Sequence, residues 1–214
     1  MKKFLLMTPC LYLFMVCLCT GSRIAGTETT NGDELKVTAA ADSIKGVGPS
    51  GAEVRIFAAN YFPYNDSGFA DTVTADQSGA FEFPGLTPGI YNVYSTSITN
   101  DLSVFISSIA IATSDNGLPD TVEATFDTTG SIAGELVDTL KMPIENAYVF
   151  LQGSPFWTMT DNNGAYRLLK VPGGKYALTF IANNRNANWS TGPLTVSAKI
   201  IAGRETAMGQ VTFE

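Results

Sequence analysis

The 214-residue chain contains no histidine, and its three cysteines all lie within the first 19 residues. Without histidine, Ser-His-Asp triads, Cys-His pairs and zinc sites that depend on imidazole are excluded. Without a cysteine after Cys19, a disulfide framework in the body of the protein is excluded as well. Since no nucleophile motif or carboxylate pair stands out, we predict a protein that is not an enzyme, with no catalytic residue, metal or cofactor.

Basic charge is also scarce, since 13 Lys and Arg face 20 Asp and Glu and give a net charge of −7. An acidic chain without a basic block is poorly suited to nucleic acid, and we predict no nucleic-acid partner. Helical periodicity is nearly absent, while Thr, Val, Ile, Phe and Tyr are frequent in short alternating runs. This composition favours β-strands over helices.

The first 19 residues have the pattern of an export signal, with Lys2 and Lys3 before an apolar run that ends at Cys19. Cys19, followed by polar residues, resembles the lipid-attachment cysteine of bacterial lipoproteins. This predicts an exported, envelope-located protein anchored to the membrane by lipid at Cys19. Cleavage without a lipid, for example after Gly21, and an uncleaved anchor remain the alternatives. Residues 20–35 are rich in Thr, Gly and Glu and are predicted to form a flexible tether.

A repeat organises the rest of the chain. Asp76-Gln77-Ser78-Gly79-Ala80-Phe81 leads to Gly89-Ile90-Tyr91, and Asp161-Asn162-Asn163-Gly164-Ala165-Tyr166 leads to Gly174-Lys175-Tyr176 with the same spacing. Each copy reads as a strand, a turn and a second strand, with an aromatic residue after each turn. We therefore predict an all-β protein of two tandem antiparallel β-sandwich domains, over residues 36–127 and 128–214.

The second unit resembles the carboxypeptidase regulatory-like family. The resemblance lies in Gly130–Gly134, Pro143–Val149, Thr160–Tyr166 and Val171–Tyr176, and the first unit keeps a divergent version of it. It implies a transthyretin-like (prealbumin-like) sandwich, related to starch-binding-type modules. It also implies a non-catalytic accessory module of bacterial surface lipoproteins. The family's name refers to the carboxypeptidases that such domains accompany and not to an activity of the domain itself.

Two sets of aromatic residues are candidate ligand-binding residues. Tyr61, Phe62 and Tyr64, together with Phe69, lie in a loop between Ala58 and Asp71 that is longer than its counterpart in the second unit. The other set is Phe156, Trp157 and Trp189. Aromatic faces with polar tips can stack on sugars, which would make the protein a carbohydrate-binding module. The alternative is that these rings close the ends of a sandwich or cover the other domain.

The repeated loop Asp161–Gly164 offers oxygen ligands that would suit calcium, but its pattern is incomplete, and a hairpin turn held by Asp and Gly is the favoured interpretation. Tyr91 and Tyr176 are predicted to be core or corner residues bonded to nearby backbone.

As the function, we predict a non-catalytic envelope module that binds or has a structural role, with a polysaccharide or another envelope protein as its partner. The alternative is the carbohydrate-binding module.

Overall fold

A computed structural model describes residues 34–97, 102–112, 121–182 and 192–213. Every regular element in these ranges is a strand, so the all-β prediction is confirmed. The strands are β1 (Glu34–Ala39), β2 (Ile44–Val47), β3 (Glu53–Ala58), β4 (Ala70–Thr74), β5 (Ala80–Phe83), β6 (Gly89–Thr96), β7 (Leu102–Ile111), β8 (Thr121–Thr125), β9 (Asp127–Thr128), β10 (Gly130–Val137), β11 (Tyr148–Leu151), β12 (Trp157–Met159), β13 (Ala165–Val171), β14 (Gly174–Ile181), β15 (Leu194–Ile200) and β16 (Glu205–Thr212).

The strands up to β9 form two sheets, which we call sheet I (order β5-β2-β1-β8) and sheet II (order β4-β3-β6-β7-β9). All of their ladders are antiparallel. The alternating inward side chains of both sheets form one hydrophobic core, which includes Leu35, Ile44, Val54, Phe83 and Val93. We call this pair of sheets the first sandwich.

The strands from β10 onward form the second sandwich, from sheet III (order β13-β10-β16) and sheet IV (order β12-β11-β14-β15). Sheet IV repeats the strand order β4-β3-β6-β7 of sheet II, which agrees with the sequence repeat. Its core is separate and includes Ile132, Leu136, Val149, Leu178 and Phe180. One ladder departs from the predicted antiparallel arrangement, because β10 and β16 run parallel.

The Asp-x-x-Gly segments are turns built by a carboxylate that binds its own backbone. Asp161 Oδ1 accepts hydrogen bonds from the backbone N–H of Asn163 and Ala165, both at 2.8 Å. Asp76 does the same for Ser78 and Ala80, and the hydrogen bond from the Ser78 hydroxyl is the main reason why its pKa lies below the usual value. This confirms the turn interpretation, since each carboxylate accepts hydrogen bonds from the backbone N–H groups of its own turn.

Each sandwich also carries a tyrosine that ties a turn to the following strand. The Tyr91 hydroxyl donates to the Thr87 carbonyl at 2.7 Å, and the Tyr176 hydroxyl donates to the Pro172 carbonyl at 2.9 Å. Both acceptors lie four residues upstream of the tyrosine. The predicted corner role of Tyr91 and Tyr176 is thereby confirmed.

The first strand begins inside the predicted tether. β1 starts at Glu34, and Leu35 is fully buried in the first core. The composition of residues 20–35 concealed this, because a single leucine at the end of a polar stretch does not show alternation until Val37 is included. Cys19 and the remainder of the predicted leader and tether lie outside the described residues.

Candidate functional site

The loop between β3 and β4 is the feature that distinguishes the first sandwich from the second. This segment, residues 59–69, is here called the aromatic loop. A small antiparallel bridge between Phe62 and Ser67 closes it, with backbone hydrogen bonds of 2.9 and 3.3 Å. The Tyr61 hydroxyl donates to the Asp66 carboxylate, and the Tyr61 ring packs on Phe57 with centroids 5.1 Å apart. The loop is therefore held in a defined shape by its own side chains.

The rings of the aromatic loop lie against the second sandwich. Tyr64 stacks on Tyr148, with centroids 4.4 Å apart and planes inclined by 24°. Phe62 meets Phe150 edge-on at 5.6 Å, and Tyr64 contacts the same Phe150 ring at 5.5 Å. Tyr148 and Phe150 lie on the outer face of sheet IV, since their neighbours Val149 and Leu151 belong to the core. The loop thus covers a sheet face of the other sandwich, which is the alternative that the sequence left open.

A buried polar contact stands beside these rings. Asn92 Nδ2 donates to the Gly153 carbonyl at 2.8 Å, and the Gly153 amide donates to the Tyr61 carbonyl at 3.1 Å. Asn92 Oδ1 accepts from the Ser108 amide at 3.0 Å, so both ends of the Asn92 side chain are occupied. Because Asn92 is only 7% exposed, these bonds satisfy groups that would be costly to bury unpaired.

Gly153 fits this position because no side chain could. Its φ is +67°, a region that L-residues with a Cβ rarely adopt. A Cβ atom at Gly153 would lie 2.4 Å from Asn92 Nδ2 and 3.1 Å from the Ala59 carbonyl oxygen. The backbone of the second sandwich therefore approaches the first as closely as a glycine allows.

Two further ring pairs cross between the sandwiches. Tyr94 meets Phe156 edge-on at 5.2 Å, and Phe105 lies 5.2 Å from Tyr176. We refer to all of these contacts as the inter-sandwich interface; it comprises Tyr61, Phe62, Tyr64, Asn92, Tyr94 and Phe105 on one side and Tyr148, Phe150, Gly153, Phe156 and Tyr176 on the other.

Burial shows where the interface excludes water. Phe57 and Phe150 are fully buried, although neither belongs to the core of its own sandwich. A fully buried phenylalanine contributes about 1.5–3 kcal/mol relative to an exposed one. The Arg55 guanidinium lies over the Phe57 ring, 5.0 Å from its centroid, and adds a cation–π contact at the edge.

The electrostatic environment of Tyr61 agrees with its position. Burial, followed by the hydrogen bond to Asp66, raises the pKa of Tyr61 to about 12. Burial also raises the pKa of Tyr94. Both phenols therefore stay neutral at physiological pH, as expected of residues that pack between two sheets.

The candidate ligand-binding residues have different surroundings. Tyr61 is 5% exposed, and Phe62, Tyr64 and Phe156 are half-buried within the inter-sandwich interface. Trp157 is the exception, since it is 44% exposed at the rim of the interface, 6.2 Å from the Tyr148 ring. Trp189 lies outside the described residues. Phe69 is 43% exposed and contacts Tyr91 within the first sandwich. This geometry does not support sugar stacking by the loop aromatics, because their rings face other rings of the protein.

Two further features are absent from the described ranges. These ranges contain no group of three or more acidic or sulfur ligands placed to hold a metal ion. Within the same ranges there is no apolar helix long enough to span a membrane.

Sequence reasoning missed the partners on the second sandwich, but a signal for them exists. In β11, every residue of Tyr148–Leu151 is apolar, so both faces of the strand carry large side chains. In β6, Tyr91 and Val93 point inward, and Asn92 and Tyr94 give the outer face large side chains as well. A strand with large side chains on both faces is expected to be buried on both faces. Applied to β6 and β11, this rule identifies the outer faces that form the interface.

No protein-family model matches the sequence, and no match exists among curated proteins. Among solved structures, the chain is similar to GBS52, the minor pilin of Streptococcus agalactiae, at 13% identity and a TM-score of 0.37 over 78% of this chain and 84% of that one. It is similar to BcpA, the major pilin subunit of Bacillus cereus, at 13% identity and a TM-score of 0.31 over 84% of this chain and 70% of that one. A type II cohesin–X-dockerin complex from Acetivibrio cellulolyticus matches at 19% identity and a TM-score of 0.29 over 38% of this chain and 52% of that one. At such TM-scores and identities, these likenesses assign no activity and no partner to this chain.

Proposed function

We propose that this chain is a non-catalytic structural module in which two β-sandwiches are joined into one stiff unit. The observation that carries the proposal is the inter-sandwich interface, above all the buried Asn92–Gly153 contact. Domains in one chain are expected to move relative to each other unless their interface is large and apolar. Here the rings of the aromatic loop, which pack on the fully buried Phe57, meet the fully buried Phe150 of the second sandwich and make the contact apolar. A stiff unit of this kind would hold or space a partner at a fixed distance.

The location we propose is the cell envelope, with the tether of residues 20–35 shortened to end before β1 and the lipid carried by Cys19. The support for this part is the sequence pattern of the first 19 residues. Replacement Cys19→Ser tests the anchor, and we expect the variant to leave the membrane fraction. Continued association with membranes would point to an uncleaved apolar anchor instead.

Equilibrium unfolding of the exported chain tests the stiff unit. Because both cores lie within residues 35–213, a chain that begins at Ser22 retains all of them. If the interface couples the sandwiches, tryptophan fluorescence, which reports on the second sandwich, and far-UV circular dichroism, which reports on both, will give one coincident transition. Two transitions that Tyr64→Ala leaves unchanged would contradict the proposal, since the sandwiches would then unfold as independent domains.

Glycan binding is a second candidate, and one observation favours it. Trp157 keeps an exposed face at the rim of the interface, next to the half-buried Tyr148. Binding to polysaccharides and cell-wall fractions would be measured for the parent chain and for Trp157→Ala. Saturable binding to one glycan that Trp157→Ala abolishes would support a carbohydrate-binding module. No binding to any of them would leave the structural module alone.

A further inference from the structure

The second sandwich is one strand shorter than the first on one side. In sheet I, β1 lies between β2 and β8. The two sheets can be aligned from the strand that follows the Asp turn, which is β5 in sheet I and β13 in sheet III. The next strand is β2 in sheet I and β10 in sheet III, and the third is β1 in sheet I and β16 in sheet III. Within the described ranges, no strand pairs with the outer edge of β16. The internal repeat thus defines a position that is filled in one copy and that no strand of the described ranges fills in the other.

The core is also less complete on that side. In the first sandwich, Leu35 and Val37 of β1 are at most 1% exposed, and Val122 and Ala124 of β8 pack against the same core. In the second, β15 and β16 are neighbours on this side. Ala198 and Ile200 of β15 are buried in the core, whereas four other apolar residues of the two strands are only half-buried: Leu194, Val196, Met208 and Val211. Among the described residues, β16 therefore has an unpaired outer edge, with the half-buried side chains of Met208 and Val211 beside it.

Strand β16 carries little of the protection that edge strands usually have. Edges are commonly blunted by short strands, by Lys or by Pro. The edge strand β12 has three residues, and the edge strands β13 and β15 carry Arg167 and Lys199. In contrast, β16 has eight residues and one charge, at Glu205, its first position. Its protection is a bulge at Met208–Gly209, where Gly209 has φ +63°.

We infer that the open edge of β16 pairs with β16 of a second copy of this chain, antiparallel across a twofold axis. Strand β16 is self-complementary in this arrangement. With the axis between Met208 and Gly209, Glu205 faces Thr212, Thr206 faces Val211 and Ala207 faces Gln210. No like charges then oppose each other, and residues that point to the same face are paired. The bulge lies on the axis, so the flanking segments on both sides remain regular.

This pairing gives each β16 the neighbour that β8 provides for β1. The two copies of sheet III become one six-stranded sheet, and the half-buried Met208 and Val211 gain cover. A dimer of this kind goes beyond the proposed function, because it concerns the face of the second sandwich that does not take part in the inter-sandwich interface.

Charge substitutions at Thr212 test both the dimer and its register. Within each copy, the Lys141 ammonium donates to Thr212 Oγ1 at 3.0 Å, and Glu205 forms an ion pair with Arg167 at 2.8 Å. All substitutions are therefore made in a Lys141→Gln background, which removes the cation beside residue 212. There, Thr212→Glu places a carboxylate opposite Glu205 of the second copy twice in each dimer, and Thr212→Lys places an ammonium there. The matched control is Ser197→Glu on β15, a seven-residue edge strand of sheet IV with an exposed serine. The dissociation constant of the dimer would be measured by sedimentation equilibrium on the chain from Ser22, between about 1 µM and about 1 mM, where small interfaces dissociate.

We expect a concentration-dependent dimer whose dissociation constant rises roughly two- to tenfold in Thr212→Glu, falls in Thr212→Lys and changes little in Ser197→Glu. Thermal denaturation of each variant verifies that the monomer is folded. A chain that stays monomeric throughout the range overturns the inference. So does a dimer that responds equally to Thr212→Glu and Ser197→Glu, because its interface would then lie elsewhere.

Discussion

Replacement of Gly153 by alanine is the sharpest test of how the two sandwiches are joined. The new Cβ would lie 2.4 Å from Asn92 Nδ2, well inside contact distance, in a backbone conformation with φ +67°. The left-handed conformation alone costs about 1–2 kcal/mol for a residue with a Cβ. If Asn92 moves away, its buried hydrogen bond to the Gly153 carbonyl is lost, which costs a further ~1–3 kcal/mol. We therefore expect Gly153→Ala to lower the free energy of unfolding by about 2–5 kcal/mol.

Gly85→Ala is a matched control for this prediction. Gly85 has φ +69°, almost the same as Gly153, but no atom lies within 4 Å of the position that its Cβ would occupy. Gly85→Ala should therefore lower the free energy of unfolding only by the cost of the left-handed backbone conformation, about 1–2 kcal/mol. Both variants would be compared by urea denaturation at equal protein concentration. The difference between them then measures the close contact across the interface.

A double-mutant cycle identifies Asn92 as the group that is displaced. Asn92→Ala removes the side chain that the new methyl group would strike, so Gly153→Ala should cost less in this background than in the parent chain. The coupling is expected to be about 1–3 kcal/mol, as for residues in direct contact. If Gly153→Ala is no more harmful than Gly85→Ala, the two backbones do not approach as described and the stiff unit is refuted.

Three other predictions follow from local geometry. A Cβ at Gly79 would lie 2.0 Å from the Gly48 carbonyl oxygen, and a Cβ at Gly164 would lie 2.4 Å from the Leu136 carbonyl oxygen. Gly79→Ala and Gly164→Ala should therefore each unfold at a clearly lower urea concentration than Gly85→Ala. A third turn is built by Asp138, and in it Lys141, at φ +64°, stands at the position that Gly79 and Gly164 have in the other two. Lys141→Gly should therefore raise the free energy of unfolding by roughly 0.5 kcal/mol, seen as a slightly higher thermal midpoint. Burial raises the pKa of Tyr61 and of Tyr166 to about 12, so both phenols bind protons more tightly in the folded chain. The stability that this provides is complete below pH 10 and is lost as the pH rises toward 12, which urea denaturation at increasing pH and phenolate absorbance would show together.

The parts of the fold that the sequence predicts well are those with a local cause. Asp161 and Gly164 determine a turn within five residues, and Tyr176 binds a carbonyl only four residues away. Sheet order follows less directly. The parallel pairing of β10 with β16 brings together Ser131 and Glu205, which are far apart in the chain, and neither strand contains a signal for the direction of its partner. The strand at Glu34 was missed for a similar reason, since its register depends on β8 as much as on its own alternation.

The inter-sandwich interface escaped the repeat comparison because, apart from Tyr176, its residues in β6 and β14 lie at positions that the repeat does not share. Aligned by their turns, Asn92 corresponds to Ala177 and Tyr94 to Thr179. The inward neighbours Tyr91 and Val93 match Tyr176 and Leu178, since both sandwiches must fill the same kind of core. The outer face of each strand has no such requirement and can change to suit what lies against it. Repeated positions therefore reveal how each sandwich is built, and the unmatched outward residues reveal how the sandwiches are joined.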